Sequence, residues 1–201
     1  NLDYIRTFKP GQEWSVSTLY SQSNLTNNFN TNLLDDAKII TGKLKNINTN
    51  INREYTLQTD YIKPIGARQQ FEMGLKGVLR DVQSDYTNQT ATGDVFMADA
   101  KRPDGGLDYT QSILAGYFSY MFTTKNKVTF KIGERYEFTQ ISAKVSNGAD
   151  FKTNYPKFVP SINVSKKIGT STLKLAYNKR IQRPGLQQLN PNINRANPQS
   201  I

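Results

Sequence analysis

Apolar and polar side chains alternate with a period of two along most of this chain, and that period predicts strands rather than helices. Phe71, Met73, Leu75, Gly77 and Leu79 interleave with Glu72, Gly74, Lys76, Val78 and Arg80. Tyr55, Leu57, Thr59 and Tyr61 interleave with Thr56, Gln58 and Asp60, and the pattern runs back through Ile47 toward Lys45. Val128, Phe130, Ile132, Tyr136 and Phe138 face away from Thr129, Lys131, Arg135 and Glu137. Leu173, Leu175, Tyr177 and Ile181 face away from Lys174, Asn178, Arg180 and Gln182. Weaker copies are Trp14, Val16, Thr18, Tyr20 and Phe158, Pro160, Ile162, Val164. With Leu2 to Phe8 and Leu107 to Phe122, about eight strands are predicted, so the fold class is all-β.

The connections alternate in length. Short turns rich in Pro, Gly or Asn lie at Lys9-Pro10-Gly11, Pro64 to Ala67, Thr124 to Asn126 and Ile168 to Thr170, as tight hairpins require. Between them come long polar stretches, Ser21 to about Gly42, Tyr86 to Gly106 and Thr139 to Tyr155, which read as loops. All tight turns then share one rim and all long loops the other. This is an up-and-down antiparallel meander, the organisation of outer-membrane barrels. The strand ending at Tyr61 approaches about 17 residues, roughly 55 Å, where about 9 to 11 cross a bilayer. A soluble antiparallel sheet with its polar face in water fits the same alternation.

Composition narrows the choices. The longest apolar run, Ile113 to Phe122, is half the roughly 20 residues a spanning helix needs, and hydrophobic residues make up 36%, so helical spans are excluded. A barrel, apolar on one face of each strand, is compatible with that average. There is no cysteine and no histidine, which removes thiolate and imidazole chemistry and makes an enzyme a poor reading. The charge of +10 raises nucleic acid or acidic lipid as partners, but Lys and Arg are spread along the chain with no basic run, which speaks against nucleic acid. Asn1 to Pro10 has no apolar stretch behind a basic start, so no signal peptide opens the sequence.

The order YTQSILAGYFSY (109 to 120), KIGERYEFT (131 to 139), YPKFVPSINVS (155 to 165) and LAYNKRIQRPGLQQLNPN (175 to 192), preceded by DYIKPIGARQQFEMGLKG (60 to 77), resembles the barrel of TonB-dependent outer-membrane receptors in the form common among Bacteroidetes. The resemblance covers about residues 55 to 192. Arg180, Ile181, Arg183, Pro184, Leu189, Asn190 and Pro191 match a segment that, in the family, leaves the membrane and is followed by more strands. It implies that residues 1 to 201 are a single partial barrel domain of the bacterial outer membrane. The expected partners are outer-membrane lipid, the protein's own N-terminal plug and remaining strands, TonB through that plug, and a small nutrient ligand. Family members serve siderophores, cobalamin, oligosaccharides and peptides. The long loops and the segment after Gln182 are the expected capture surfaces. Two other readings stand beside this one: a soluble all-β binding or adhesion module, and a small closed eight-stranded barrel serving as an enzyme or an anchor.

No catalytic, cofactor-binding or metal-binding residue is assigned, and no cofactor is expected. Asp94, Asp99, Asp104 and Asp108 share a loop region that a Ca²⁺ site would use, but their spacing fits no EF-hand, and a solvated loop is expected. Lys9, Lys63, Arg68, Lys125, Lys127, Lys166 and Lys167 adjoin the short turns, where they meet solvent or anionic headgroups. Tyr20, Tyr61, Tyr109, Tyr117, Tyr120, Tyr136 and Tyr177 suggest an interfacial aromatic girdle. The glycosylation-like triplets at Asn24, Asn88 and Asn163 carry no weight in an Asn-rich chain. Glu134 falls on the apolar side of its strand and Pro160 within another, so a rim position or a bulge is expected at the first and a bulge or strand end near the second.

Overall fold

The computed structural model describes residues 1–146 and 148–182. It contains nine strands: β1 (Leu2–Lys9), β2 (Gln12–Leu34), β3 (Ile40–Pro64), β4 (Gln69–Ala91), β5 (Met97–Ala98), β6 (Gly105–Thr123), β7 (Val128–Val145), β8 (Phe151–Ile168) and β9 (Ser171–Asn178). The eight long ones form a single antiparallel sheet in the order β1-β2-β3-β4-β6-β7-β8-β9, and the two-residue β5 pairs with the end of β4. Each long strand pairs with the next long strand in sequence, which is the meander the turn spacing predicts. Among the described residues β1 and β9 are open edges.

The tight turns lie on one rim. Gly11, Gly66 and Gly169 take positive φ there, a conformation that costs glycine nothing. Lys127 does the same work in the fourth turn at φ 58°.

On the other rim the long polar stretches are mostly not loops. β2 and β3 stay paired from Glu13↔Ile62 to Leu34↔Ile40, so only 35–39 turn the hairpin and most of Ser21 to Gly42 is strand. Strand also occupies most of Thr139 to Tyr155, leaving 146–150 as the connection. In Tyr86 to Gly106 the loop shrinks to 92–104, which β5 interrupts. Alternation marks a strand only where its two faces meet different media. Past the apolar zone one face of β2 is polar from Gln22 to Asn32 and the other carries only scattered apolar residues, Leu25, Phe29 and Leu33, and the ladder from β3 holds the strand extended in spite of its asparagines. β3 is consequently 25 residues long rather than about 17.

The expectations at Glu134 and Pro160 are corrected in part. Glu134 pairs with Phe118 and Pro160 in unbroken registers, far from either end of β7, so it occupies neither a rim nor a bulge. Pro160 also lies within β8, but its carbonyl accepts the Lys179 N–H at 3.2 Å, just beyond the last β8–β9 pair, Ser161↔Asn178. N–H and C=O of one strand residue point the same way, so the missing donor falls where β9 has ended. β9 stops at Asn178, short of the predicted Arg180 and Ile181.

Candidate functional site: the two faces of the sheet

The two faces have exchanged the roles they hold in a water-soluble sheet. One carries large apolar side chains standing open: Leu57 is 59% exposed, Leu114 64% and Leu175 74%. On β4 its column runs Phe71, Met73, Leu75, Gly77, Leu79 and then turns polar at Asp81, Gln83 and Asp85. Neighbouring strands repeat this over the same rows, giving an apolar band with polar chain on its far side. The opposite face holds the buried polar groups Asn48, Ser84, Asn88, Gln111, Glu137 and Thr139. Water would drive the reverse arrangement.

Aromatic rings edge the band. Near the tight turns Phe122 stacks on Phe130 at 5.0 Å and contacts Tyr120 at 5.9 Å. At the far edge Tyr20 and Tyr55 meet at 4.7 Å. Two of the tyrosines expected in such a girdle belong elsewhere. Tyr109 is buried on the polar face against Val82 and Leu107, and the Tyr117 hydroxyl accepts from Gln58 Nε2 at 3.2 Å on that face. Tyr61, Tyr136 and Tyr177 are on the band face, as Tyr20 and Tyr120 are.

The polar face pairs its charges, once across strands and once along a single strand. Glu72 on β4 accepts from Lys131 Nζ of β7 at 2.6 Å, from Ser119 Oγ of the intervening β6 at 3.0 Å and from Gln70 at 2.9 Å. Arg135 donates through Nε and Nη2 to Glu137 Oε2 at 3.1 and 2.8 Å. Toward the long-hairpin end amides replace carboxylates as acceptors: Arg80 reaches Asn52 Oδ1 at 3.0 Å and Asn46 reaches Asn88 Oδ1 at 2.8 Å. A groove of about 430 Å³ runs over Glu72, Lys76, Tyr117, Lys131 and Arg135. Lys76 and Lys174 share this face, whereas exposed Arg180 follows the end of β9.

The loop aspartates do not converge. Asp94 takes Lys43 Nζ at 2.8 Å, Asp99 takes Arg102 Nε at 2.7 Å, Asp104 takes the Asn88 N–H at 2.7 Å, and Asp108 stands opposite Lys144. The Lys43 ammonium holds the Asp94 carboxyl below its ordinary value. For Asp99, burial pushes upward, but Arg102 and the Lys101 N–H outweigh it and the net shift is downward. Among the described residues no three carboxylates form a metal-sized group. The turn cations Lys9, Lys63, Arg68, Lys125, Lys127, Lys166 and Lys167 all lie at the tight-turn rim. Arg183, Pro184, Leu189, Asn190 and Pro191 lie outside the described residues.

An apolar band turned outward, with charges paired behind it, is the layering of a barrel wall in a bilayer. Residues 6–201 match the outer membrane protein beta-barrel family. The chain belongs to that family. It is a component of the bacterial outer membrane, and its band face is the lipid-facing one. Comparison with curated proteins gives no match. Among solved structures the fold is similar to the ferric citrate transporter FecA in its unliganded form, with a TM-score of 0.60 at 14% identity over 86% of this chain. The chain spans 25% of that protein's length. This likeness concerns the fold, an antiparallel meander shared with part of that transporter.

Proposed function

We propose that this chain is a stretch of wall from a TonB-dependent receptor, of the form common among Bacteroidetes, that takes a small nutrient across the outer membrane. The observation that carries the reading is the charge-paired polar face. Glu72–Lys131 and Arg135–Glu137 suit a wide lumen occupied by water or a plug, whereas a small closed barrel packs its interior with side chains. The plug, the remaining strands and the TonB contact belong to the rest of the protein.

Capture uses the hairpins above the band. β3 from Ile40 to Glu54 adds about 50 Å of strand beyond the apolar columns, rigid where the sequence suggests loops. A paired ladder presents its side chains at fixed spacing and needs little ordering when ligand arrives. Displacement of the plug, driven through TonB, then opens the lumen along the polar face. The tight-turn cations rest against periplasmic headgroups. The chain acts by binding and passage and carries no catalysis or cofactor.

Fractionated native cells test this. An outer-membrane band far heavier than 22.8 kDa that shifts on boiling, with nutrient uptake that disappears when TonB is inactivated, is the expected result. A soluble band near 22.8 kDa would replace the reading with the adhesion module, and uptake indifferent to TonB would remove the transport step.

A further inference from the structure

Glu134 stands at the centre of the outward column of β7, with Phe130 and Ile132 on one side and Tyr136 and Phe138 on the other. Across the ladders it faces Phe118 and Pro160. Neither an ion pair nor a hydrogen bond from any described residue reaches its carboxylate. Arg6, an outward charge on β1, lies close to the tight-turn rim and covers the Phe8 ring at 5.0 Å, which leaves it within reach of headgroups.

Beside Glu134 the lipid-facing surface is not filled. Gly116 presents no side chain between Leu75 and Tyr136, and a groove of about 680 Å³ opens there, walled by Trp14, Tyr61, Met73 and Phe118. The groove and the carboxylate form one feature: a slot in the apolar band with an acceptor at its side.

Depth identifies what fills it. From Glu134 to Phe130 or Phe138 is about 13 Å of strand, so the carboxylate lies in the hydrocarbon layer. Phospholipid amines and water lie at the edges of that layer. Acyl chains seated in the slot bring no donor, and a bare carboxylate among them is unfavourable. A side chain of another polypeptide does bring a donor to that depth, and charge complementarity makes it basic. We propose that this groove seats a membrane-embedded segment of a partner protein that presents a lysine or arginine to Glu134. The inference rests on the outer-membrane placement alone and is independent of the transport reading.

The test uses the full-length protein in its native membrane, with p-benzoylphenylalanine replacing Tyr136 in the slot or, as a control, Leu175 on β9. On irradiation a protein adduct is expected from position 136 and not from 175. Glu134→Gln, which keeps the shape and removes the charge, should lower its yield at least tenfold while the unboiled barrel still migrates as folded. The cross-linked segment should contain Lys or Arg. Changing that residue to Glu should abolish the adduct, and pairing the change with Glu134→Lys should restore it. Adducts to lipid alone, to a second copy of this chain, or to a protein at a yield indifferent to Glu134→Gln would each overturn the proposal. Uptake measured on the same strains reports on transport separately.

Discussion

Tyr117 lies directly across the β4–β6 ladder from Gly74, and its phenol ring fills the space a side chain at 74 would occupy. A Cβ built on Gly74 would stand 2.5 Å from the Tyr117 ring and 2.6 Å from the Thr59 carbonyl oxygen. A large aromatic covering a strand glycine compensates for the packing the glycine lacks. The ring can swing away but the Thr59 backbone cannot, so Gly74→Ala should destabilise the folded barrel by about 1–3 kcal/mol. Gly77, whose missing Cβ points to open space on the lipid face, should respond oppositely. Gly77→Ala should gain about 0.5–1 kcal/mol, since glycine weakens a strand interior. Urea titration of the barrel refolded into vesicles measures both.

The Lys131–Glu72 contact spans three strands, which ties β7 to β4 over β6. Lys131→Met leaves Glu72 with only Ser119 and Gln70 as donors. The cost should be about 1 kcal/mol, modest because both side chains keep some access to water. Adding Glu72→Gln should recover part of it, so the double-mutant cycle should show a coupling of about 0.5 kcal/mol or more. Strictly additive losses would mean the pair contributes nothing beyond its separate hydrogen bonds.

Both relationships lie where the sequence was most legible. Between Phe71 and Leu79 each outward residue meets lipid and each inward one meets the lumen, so the period of two survives in the letters. On β6 it blurs, because Ile113, Ala115 and Tyr117 are apolar or aromatic yet inward, and a tyrosine by itself does not declare its face. Register decides that: Ala115 opposes Lys76 and Glu137, which fixes the side of every other residue in the strand. The tall hairpins were invisible for a different reason. Asn24, Thr26 and Asn28 line one side of β2 and Leu25 and Phe29 are interleaved with Ser23 and Asn27 on the other, a pattern too sparse to separate a wet strand from an asparagine-rich loop. Glu134 was legible as an anomaly from the alternation alone, but only the unbroken registers on both sides removed the rim and the bulge as explanations.

Lys127 holds φ 58° in a turn whose counterparts use Gly11, Gly66 or Gly169. A left-handed conformation costs an L-residue roughly 1–2 kcal/mol, and extra freedom in the unfolded chain returns part of that cost when glycine replaces it. Lys127→Gly should therefore stabilise the barrel by about 0.5 kcal/mol, read as a higher urea midpoint with unchanged slope.

Loop 92–104 should loosen in acid. The Asp99 carboxyl is held below its ordinary value by Arg102 and the Lys101 N–H against the effect of burial. A depressed folded value means the stabilisation is complete above the unfolded value, about 4, and is lost as pH falls through the lower folded value. Protease nicking of the loop should be slow at neutral pH and accelerate below about pH 4. Asp99→Asn should be nicked readily at neutral pH and lose that acid-dependent step. Asp94, whose side chain is 97% exposed, should behave differently although its contact with Lys43 is as short. Asp94→Asn should leave nicking unchanged, because water screens an exposed pair.

Leu114 provides the sharpest discrimination between a barrel wall and a water-soluble sheet. Its side chain is 64% exposed, and in a soluble protein an exposed strand position accepts arginine at little cost. Here it points outward between Val78's strand and β7, within the apolar columns that end at Leu79 and Phe138. Arginine there places a guanidinium in the outer part of the hydrocarbon, level with Phe138, so Leu114→Arg should cost about 1–2 kcal/mol, between the midplane and interfacial values. Ser112→Arg, one outward rung farther along β6 where the column has turned polar, should cost at most about 1 kcal/mol. Refolding both variants into vesicles and comparing urea midpoints gives the contrast. Equal, small effects would mean that the exposed apolar face meets water, and the membrane placement of this sheet would have to be abandoned.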